Sequence, residues 1–133
     1  MESEQKIRDV LVKFEEVIQN HSDNLAQLEN IIAINQPDVE RCTRIVRRMR
    51  RTRKEIYDGL RIILDHFSFV SDLRIKEETQ GIVNYLGLIG FNDEIELLKS
   101  AEILLRKVGV TLDIREDIDQ LEKLIEMTSK LSF

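Results

Sequence analysis

Apolar side chains in the first quarter of the chain fall at Ile7, Leu11, Phe14, Ile18, Leu25, Leu28 and Ile32, the alternating four-three spacing of a helical heptad seam. Only His21 interrupts it. Val10, Val17 and Ile31 add a flanking stripe at the same period, so the apolar face is wider than a two-stranded coiled coil needs and suits a bundle. The pattern predicts a first helix over residues 3–34, roughly 48 Å long at a rise of ~1.5 Å per residue. Asn35-Gln-Pro37-Asp38 ends it, because proline cannot continue a helix but fits the first turn of the next one.

A second seam follows at Cys42, Val46, Met49, Ile56, Leu60, Ile63 and Phe67, interrupted at Arg53. An antiparallel hairpin folded about Gln36-Pro37 sets Leu28 against Val46, Leu25 against Met49, Phe14 against Leu60 and Ile7 against Phe67. It also sets His21 against Arg53, so the two seam breaks share one layer. Such a layer reads as a polar device that fixes register, with a pH-sensitive or anion-binding layer as the sharper alternative. A buried arginine needs a partner, which implies a carboxylate from another helix or chain.

The remainder predicts three shorter helices. The third covers about residues 72–88 and stops near Gly90. Asn92 is placed to cap the fourth, with Asp93 and Glu94 in its first turn, Arg106 and Lys107 in its last and Gly109 beyond. Asp113-Ile-Arg-Glu116 has the form of a capping box opening a fifth, whose stripe is Ile118, Leu121, Leu124, Ile125 and Leu131. The apolar band of Ile56, Tyr57, Leu60, Ile62, Ile63, Leu64, Phe67 and Phe69 suggests that these helices pack on the end of the hairpin formed by the start of the first helix and the finish of the second. The other end, residues 22–55, would then protrude with an uncovered seam, and Leu25, Leu28, Ile32, Ile45 and Met49 become candidates for a homodimer or higher oligomer interface.

Composition supports this all-α architecture: a long helical hairpin (residues 1–70) and three shorter helices (71–133) in a single domain. The 133 residues are 42% hydrophobic and 34% charged, with one proline, five glycines and no tryptophan. The longest uncharged run, residues 79–92, is too short to span a bilayer, and Met1-Glu-Ser-Glu-Gln-Lys lacks the basic start and apolar core of a signal peptide. With Cys42 alone no internal disulfide can form, and the expectation is a cytoplasmic or nuclear protein with Cys42 as a core residue.

Charge changes the picture more. Residues 41–54, RCTRIVRRMRRTRK, hold seven arginines, one lysine and no acid, while the rest of the chain carries 12 bases against 25 acids and the net charge is −5. On a helical wheel Arg41, Arg44, Arg47, Arg48, Arg50, Arg51 and Lys54 oppose the seam. Arginine offers a planar fork of donors matched to carboxylate and phosphate, so Arg44, Arg47, Arg48, Arg51 and Lys54 are the candidate anion-contacting residues. Acidic protein helices, of a partner or of a second copy, are the first reading. Nucleic acid contacted through its phosphates is the alternative, although no aromatic is interleaved to stack bases and no groove-reading motif surrounds the patch. An anionic membrane surface ranks below both.

Arg61-Ile-Ile-Leu-Asp65-His66 resembles, over these six residues, the Arg-x4-His spacing of HEPN-type ribonucleases, which are also helical bundles. The resemblance implies a nuclease using Arg61 and His66, although Ile62 stands where that pattern places a polar residue. No Gly-rich phosphate loop, nucleophile motif or metal-ligand spacing appears, and no cofactor is implied. The sequence thus reads as a non-enzymatic interaction or assembly module, with a nucleic-acid binder and then a helical nuclease as alternatives.

Overall fold

The computed structural model describes residues 2–36 and 38–131. The protein is all-α, with α1 at Glu2–Ile34, α2 at Val39–His66, α3 at Leu73–Tyr85, α4 at Phe91–Arg106 and α5 at Arg115–Ser129. None of these helices is long and apolar enough to cross a membrane.

Asn35 ends α1 in the left-handed conformation, φ 55°, which asparagine tolerates better than most residues, and its N–H donates to the Ile32 carbonyl at 3.1 Å. Pro37, half of the expected hinge, lies outside the described residues. Asp38 then caps α2 by accepting the Arg41 N–H at 3.0 Å. The two helices run antiparallel in contact. Ser3 Oγ meets His66 Nδ1 at one end at 3.0 Å, Asn24 bonds Thr52 midway at 3.3 Å, and Gln27 accepts from Arg48 towards the tip at 2.7 Å. Gly59 lets the helices approach closely, because the Phe14 ring occupies the space a Cβ would need.

Glu4 of α1 fixes the base of the bundle. Its carboxylate accepts the Ser71 N–H and hydroxyl, both at 3.0 Å, and the Asp72 N–H at 3.2 Å, and these bonds hold it below the ordinary carboxylate pKa. Asp72 in turn caps α3 through the N–H groups of Arg74 and Ile75. From α3 the chain enters α4 through a single π-helical turn, Leu86–Gly90, with Gly90 itself in right-handed helical geometry. Gly90 therefore does not stop the chain. Asn92 does not cap α4 as expected; it lies inside the helix and donates to the carbonyls of Gly87 and Leu88 at 3.4 and 3.2 Å, carbonyls that the wider turn leaves within its reach.

Gly109, with φ 77°, closes α4: its N–H reaches Arg106 O and the Val110 N–H reaches Leu105 O, both at 3.0 Å, the two bonds of a Schellman motif. The expected reciprocal capping box at α5 does not form. Asp113 accepts from the Arg115 N–H and guanidinium, which pull its carboxyl down to about 2, while Glu116 faces Gln120 along the helix.

The expectation about coverage is overturned. Leu28 and Ile45 are 0% exposed and Met49 1% within one chain, Leu25 is buried, and Ile32 is partly buried against the core. They are not an open seam. Glu94 places the start of α4 beside His21 and Arg53, midway along the hairpin, while α3 is tied to the base through Glu4 and Asp72. The apolar side of α4, with Leu98, Ala101, Leu104 and Leu105 buried, then closes over the tip, and Ile114 is buried beyond it. Conversely, Tyr57, Ile62 and Phe69 near the base stay partly in water, at 42%, 37% and 64% exposure. The base is covered as expected, with Ile7, Ile56, Leu60 and Ile63 0% exposed; the bare tip was misjudged because α3, the π turn and α4 join into one long path instead of stopping at Gly90.

Candidate anion-binding face of α2

The seven arginines of residues 41–53 on α2 divide between two environments. Arg53 is 3% exposed and sits in the layer of His21. Its Nε and Nη2 donate to Glu94 Oε2 at 3.0 and 2.6 Å, and its Nη1 donates to Asp117 Oδ1 at 2.7 Å and Gln120 Oε1 at 3.0 Å. Arg50 holds the same Asp117 side-on, Nε to Oδ1 and Nη2 to Oδ2, each at 2.9 Å, and also reaches the Asp113 carbonyl at 3.2 Å. Glu94 belongs to α4 and Asp117 to α5, so both acids come from other helices of the same chain.

His21 completes the layer. A carboxylate already held by arginine can only accept, so His21 Nε2–H donates to Glu94 Oε1 at 2.8 Å. The Phe91 ring packs edge-on to the imidazole, with centroids 6.5 Å apart. His21 Nδ1 is buried and has no partner among the described residues. Burial acts to raise the Asp117 carboxyl, but the hydrogen bonds from Arg50 and Arg53 outweigh it and hold it below the usual value. The same bonds raise Arg50.

Arg41, Arg44, Arg47 and Arg51 are exposed, and none makes a side-chain hydrogen bond or ion pair among the described residues. With Arg48 and Arg50 they line one open depression. Arg48 is half-buried: Nη2 donates to the Gln27 amide oxygen at 2.7 Å, while the buried Nε has no partner among the described residues. Arg48 and Arg51 also border a polar groove between α1 and α2 lined by Asn20, Asp23, Asn24, Gln27, Thr52 and Glu55, although neither arginine forms an ion pair with these two acids. Lys54 is drawn off by Asp58 at 2.8 Å. Of the anion-contacting candidates, the structure brings Arg44, Arg47, Arg48 and Arg51 onto one surface and sets Lys54 at its acidic edge.

Cys42 is buried at 0% exposure, and burial pushes its thiol pKa up, the opposite of what a reactive thiol needs. Arg61 is exposed, while His66 bonds Ser3, and no described contact joins the two. Among the described residues no group of three His, Cys, Asp or Glu side chains is arranged to hold a metal ion.

Glu94, Asp117 and Gln27 escaped the reading of the sequence. The first two carried a usable signal. Glu94 stands in register with Leu98, Ala101 and Leu105, and Asp117 with Leu121, Leu124 and Thr128, so each breaks its own helix's seam as His21 and Arg53 break theirs. The place of Glu94 in a first turn instead suggested a charge matched to the helix dipole, and Asp117 was not singled out. Gln27 carried no comparable signal.

No protein-family model, curated protein or solved structure matches this chain.

Proposed function

We propose that the protein is a non-enzymatic interaction module whose arginine face on α2 docks an acidic protein surface, on another protein or on a second copy of the chain. The observation that carries this reading is the contrast along α2 itself. Arg50 and Arg53 already bind carboxylates of neighbouring helices through the edge of the guanidinium, whereas Arg41, Arg44, Arg47 and Arg51 present the same chemistry and pair with no carboxylate among the described residues. The free arginines recur at three- and four-residue steps, so they form ridges along the helix that match acids spaced likewise on a partner helix.

The size of the face favours a protein over a long polyanion. It runs about 15 Å, from Arg41 to Arg51, at the rise of an α-helix. Asp38 and Glu40 stand at one end and Glu55 and Asp58 at the other, and the whole chain carries −5. A nucleic acid extending past the patch meets repulsion on either side.

Fluorescence anisotropy tests the reading with two labelled probes in low salt: a helical peptide bearing glutamates at alternating three- and four-residue spacing, and a single-stranded oligonucleotide. The peptide should bind, Arg47→Glu with Arg51→Glu should abolish that binding without loss of helicity, and the oligonucleotide should not bind. Light scattering on wild type and double variant reports whether a second copy is the partner. Oligonucleotide binding that falls steeply with salt and vanishes in the double variant, with the peptide ignored, would overturn the protein reading in favour of nucleic acid.

A further inference from the structure

The guanidinium of Arg48 is half-used. Arg50 and Arg53 each engage Nε and Nη2, the paired donors on one edge of the fork, with a carboxylate. Arg48 turns the same edge to a neutral amide: Nη2 donates to Gln27 Oε1 at 2.7 Å, and the neighbouring Nε finds no acceptor among the described residues although it is buried from solvent. The Gln27 oxygen takes Nη2 alone, whereas the two oxygens of Asp117 take both donors of Arg50. The shortfall is chemical as well as geometric, because a neutral acceptor makes a weaker bond to guanidinium than a carboxylate does. An orphaned buried donor is also a standing cost to the folded chain, and any ligand able to satisfy it recovers that loss on binding.

Position supports the same conclusion. Arg48 lies where the arginine depression meets the polar groove between α1 and α2, since Arg48 and Arg51 line both. Asn24 and Thr52 in that groove are buried and bonded to each other. Gln27 is only half-buried, and Arg48 is its one side-chain hydrogen-bond partner among the described residues. Turning it out breaks that one bond, whereas Asn24 and Thr52 would have to leave the interior.

We infer that Arg48 is the anchor of the docking face and that Gln27 is its placeholder: a carboxylate of the acidic partner displaces the Gln27 amide and takes both Nε and Nη2, as Asp117 takes those of Arg50. This rests on the reading of the arginine face as a surface for acidic protein, and it adds the residue pair that decides binding there. Gln27 thereby serves as a gate that distinguishes a carboxylate, which fills both donors, from a neutral side chain, which does not.

The glutamate peptide again supplies the probe, with Gln27→Glu, Arg48→Lys and Asn30→Glu compared with wild type. Gln27→Glu puts the missing carboxylate in place within the chain, so peptide affinity should fall about tenfold or more while the melting temperature rises. Asn30→Glu makes the same change of charge on α1 outside the groove and should weaken binding about threefold or less, the general electrostatic share. Arg48→Lys keeps the charge but loses the fork, and should also cost about tenfold. If wild type ignores the peptide, the docking reading fails and the anchor with it. Should wild type bind while Gln27→Glu and Asn30→Glu weaken binding equally, or Arg48→Lys bind as wild type does, the face docks acids but Arg48 is not its anchor. Gln27-sensitive binding of the oligonucleotide in place of the peptide would overturn the carboxylate as occupant.

Discussion

The two sides of α2 carry the same residue type with opposite consequences. Towards α4 and α5, Arg53 and Arg50 are met by Glu94 and Asp117; Arg53 and both acids are buried in the core, and Arg50 reaches in to Asp117 from the surface. Towards solvent and the outer groove, Arg41, Arg44, Arg47, Arg48 and Arg51 form no ion pair with a described carboxylate, Asp23 and Glu55 of the groove included. What separates the sides is burial. In the core an unmatched charge cannot persist, so each guanidinium there has its acid; at the surface water screens the charge and an unmatched row is tolerated. The matched side should therefore govern stability and the unmatched side binding, and changes on the two sides should not trade roles.

Breaking the matched side should have the largest effect. Arg53→Met strands Glu94, 0% exposed, and half of the charge around Asp117, so unfolding by urea should show a loss of about 3–5 kcal/mol. Arg53→Met combined with Glu94→Leu and Asp117→Leu removes the charges together and should recover most of it. A single variant as stable as wild type would mean that the layer is open to water.

The covered tip provides the next test. Leu28 is 0% exposed, so Leu28→Ala should cost about 2–5 kcal/mol in one cooperative transition, at any protein concentration. A cost that grew on dilution would restore the seam as an interface between copies.

These two regions also show what the sequence made legible. The four-three spacing located both long helices, and the coincident breaks at His21 and Arg53 pointed to a shared layer needing an acid. The acids were as legible and were passed over: Glu94 and Asp117 sit at seam positions of α4 and α5, and a charge at a seam position is a buried charge whichever turn it occupies. Four seams, each broken by an ionisable side chain, meet in one cluster. The path from α3 to α4 was not legible, since Gly90 and Asn92 carry the signature of a stop and a cap yet lie in continuous helical backbone. A π turn has no residue signature that distinguishes it from a break. The side of the bundle each element covers follows from that path, which is why the tip was expected to be bare.

Acid should weaken the matched side in a defined direction. The folded Asp117 carboxyl titrates below its unfolded value, so its contribution to stability is complete above pH ~4 and is lost as the pH falls through the lowered folded value. Urea midpoints measured from pH 6 downward should therefore fall more steeply below pH ~4 for wild type than for Asp117→Asn, which has no carboxyl to protonate at that site. Parallel curves would assign the acid sensitivity to other carboxylates.

The smallest expected effect is the one that most sharpens the comparison, because its sign differs from the rest. Arg44, Arg47, Arg48 and Arg51 stand three and four residues apart, the spacing at which side chains on a helix are neighbours, and like charges at that spacing repel. Removing one relieves its neighbours and breaks no described bond, so Arg47→Gln should stabilise the fold by a few tenths of a kcal/mol in low salt. Raising the salt should bring wild type and variant together, since screening replaces the missing anions. The same substitution should weaken the acidic peptide. A protein that becomes more stable and binds less well when one arginine is lost is keeping that arginine for a partner; destabilisation by Arg47→Gln would instead mean that the outer row is matched within the fold.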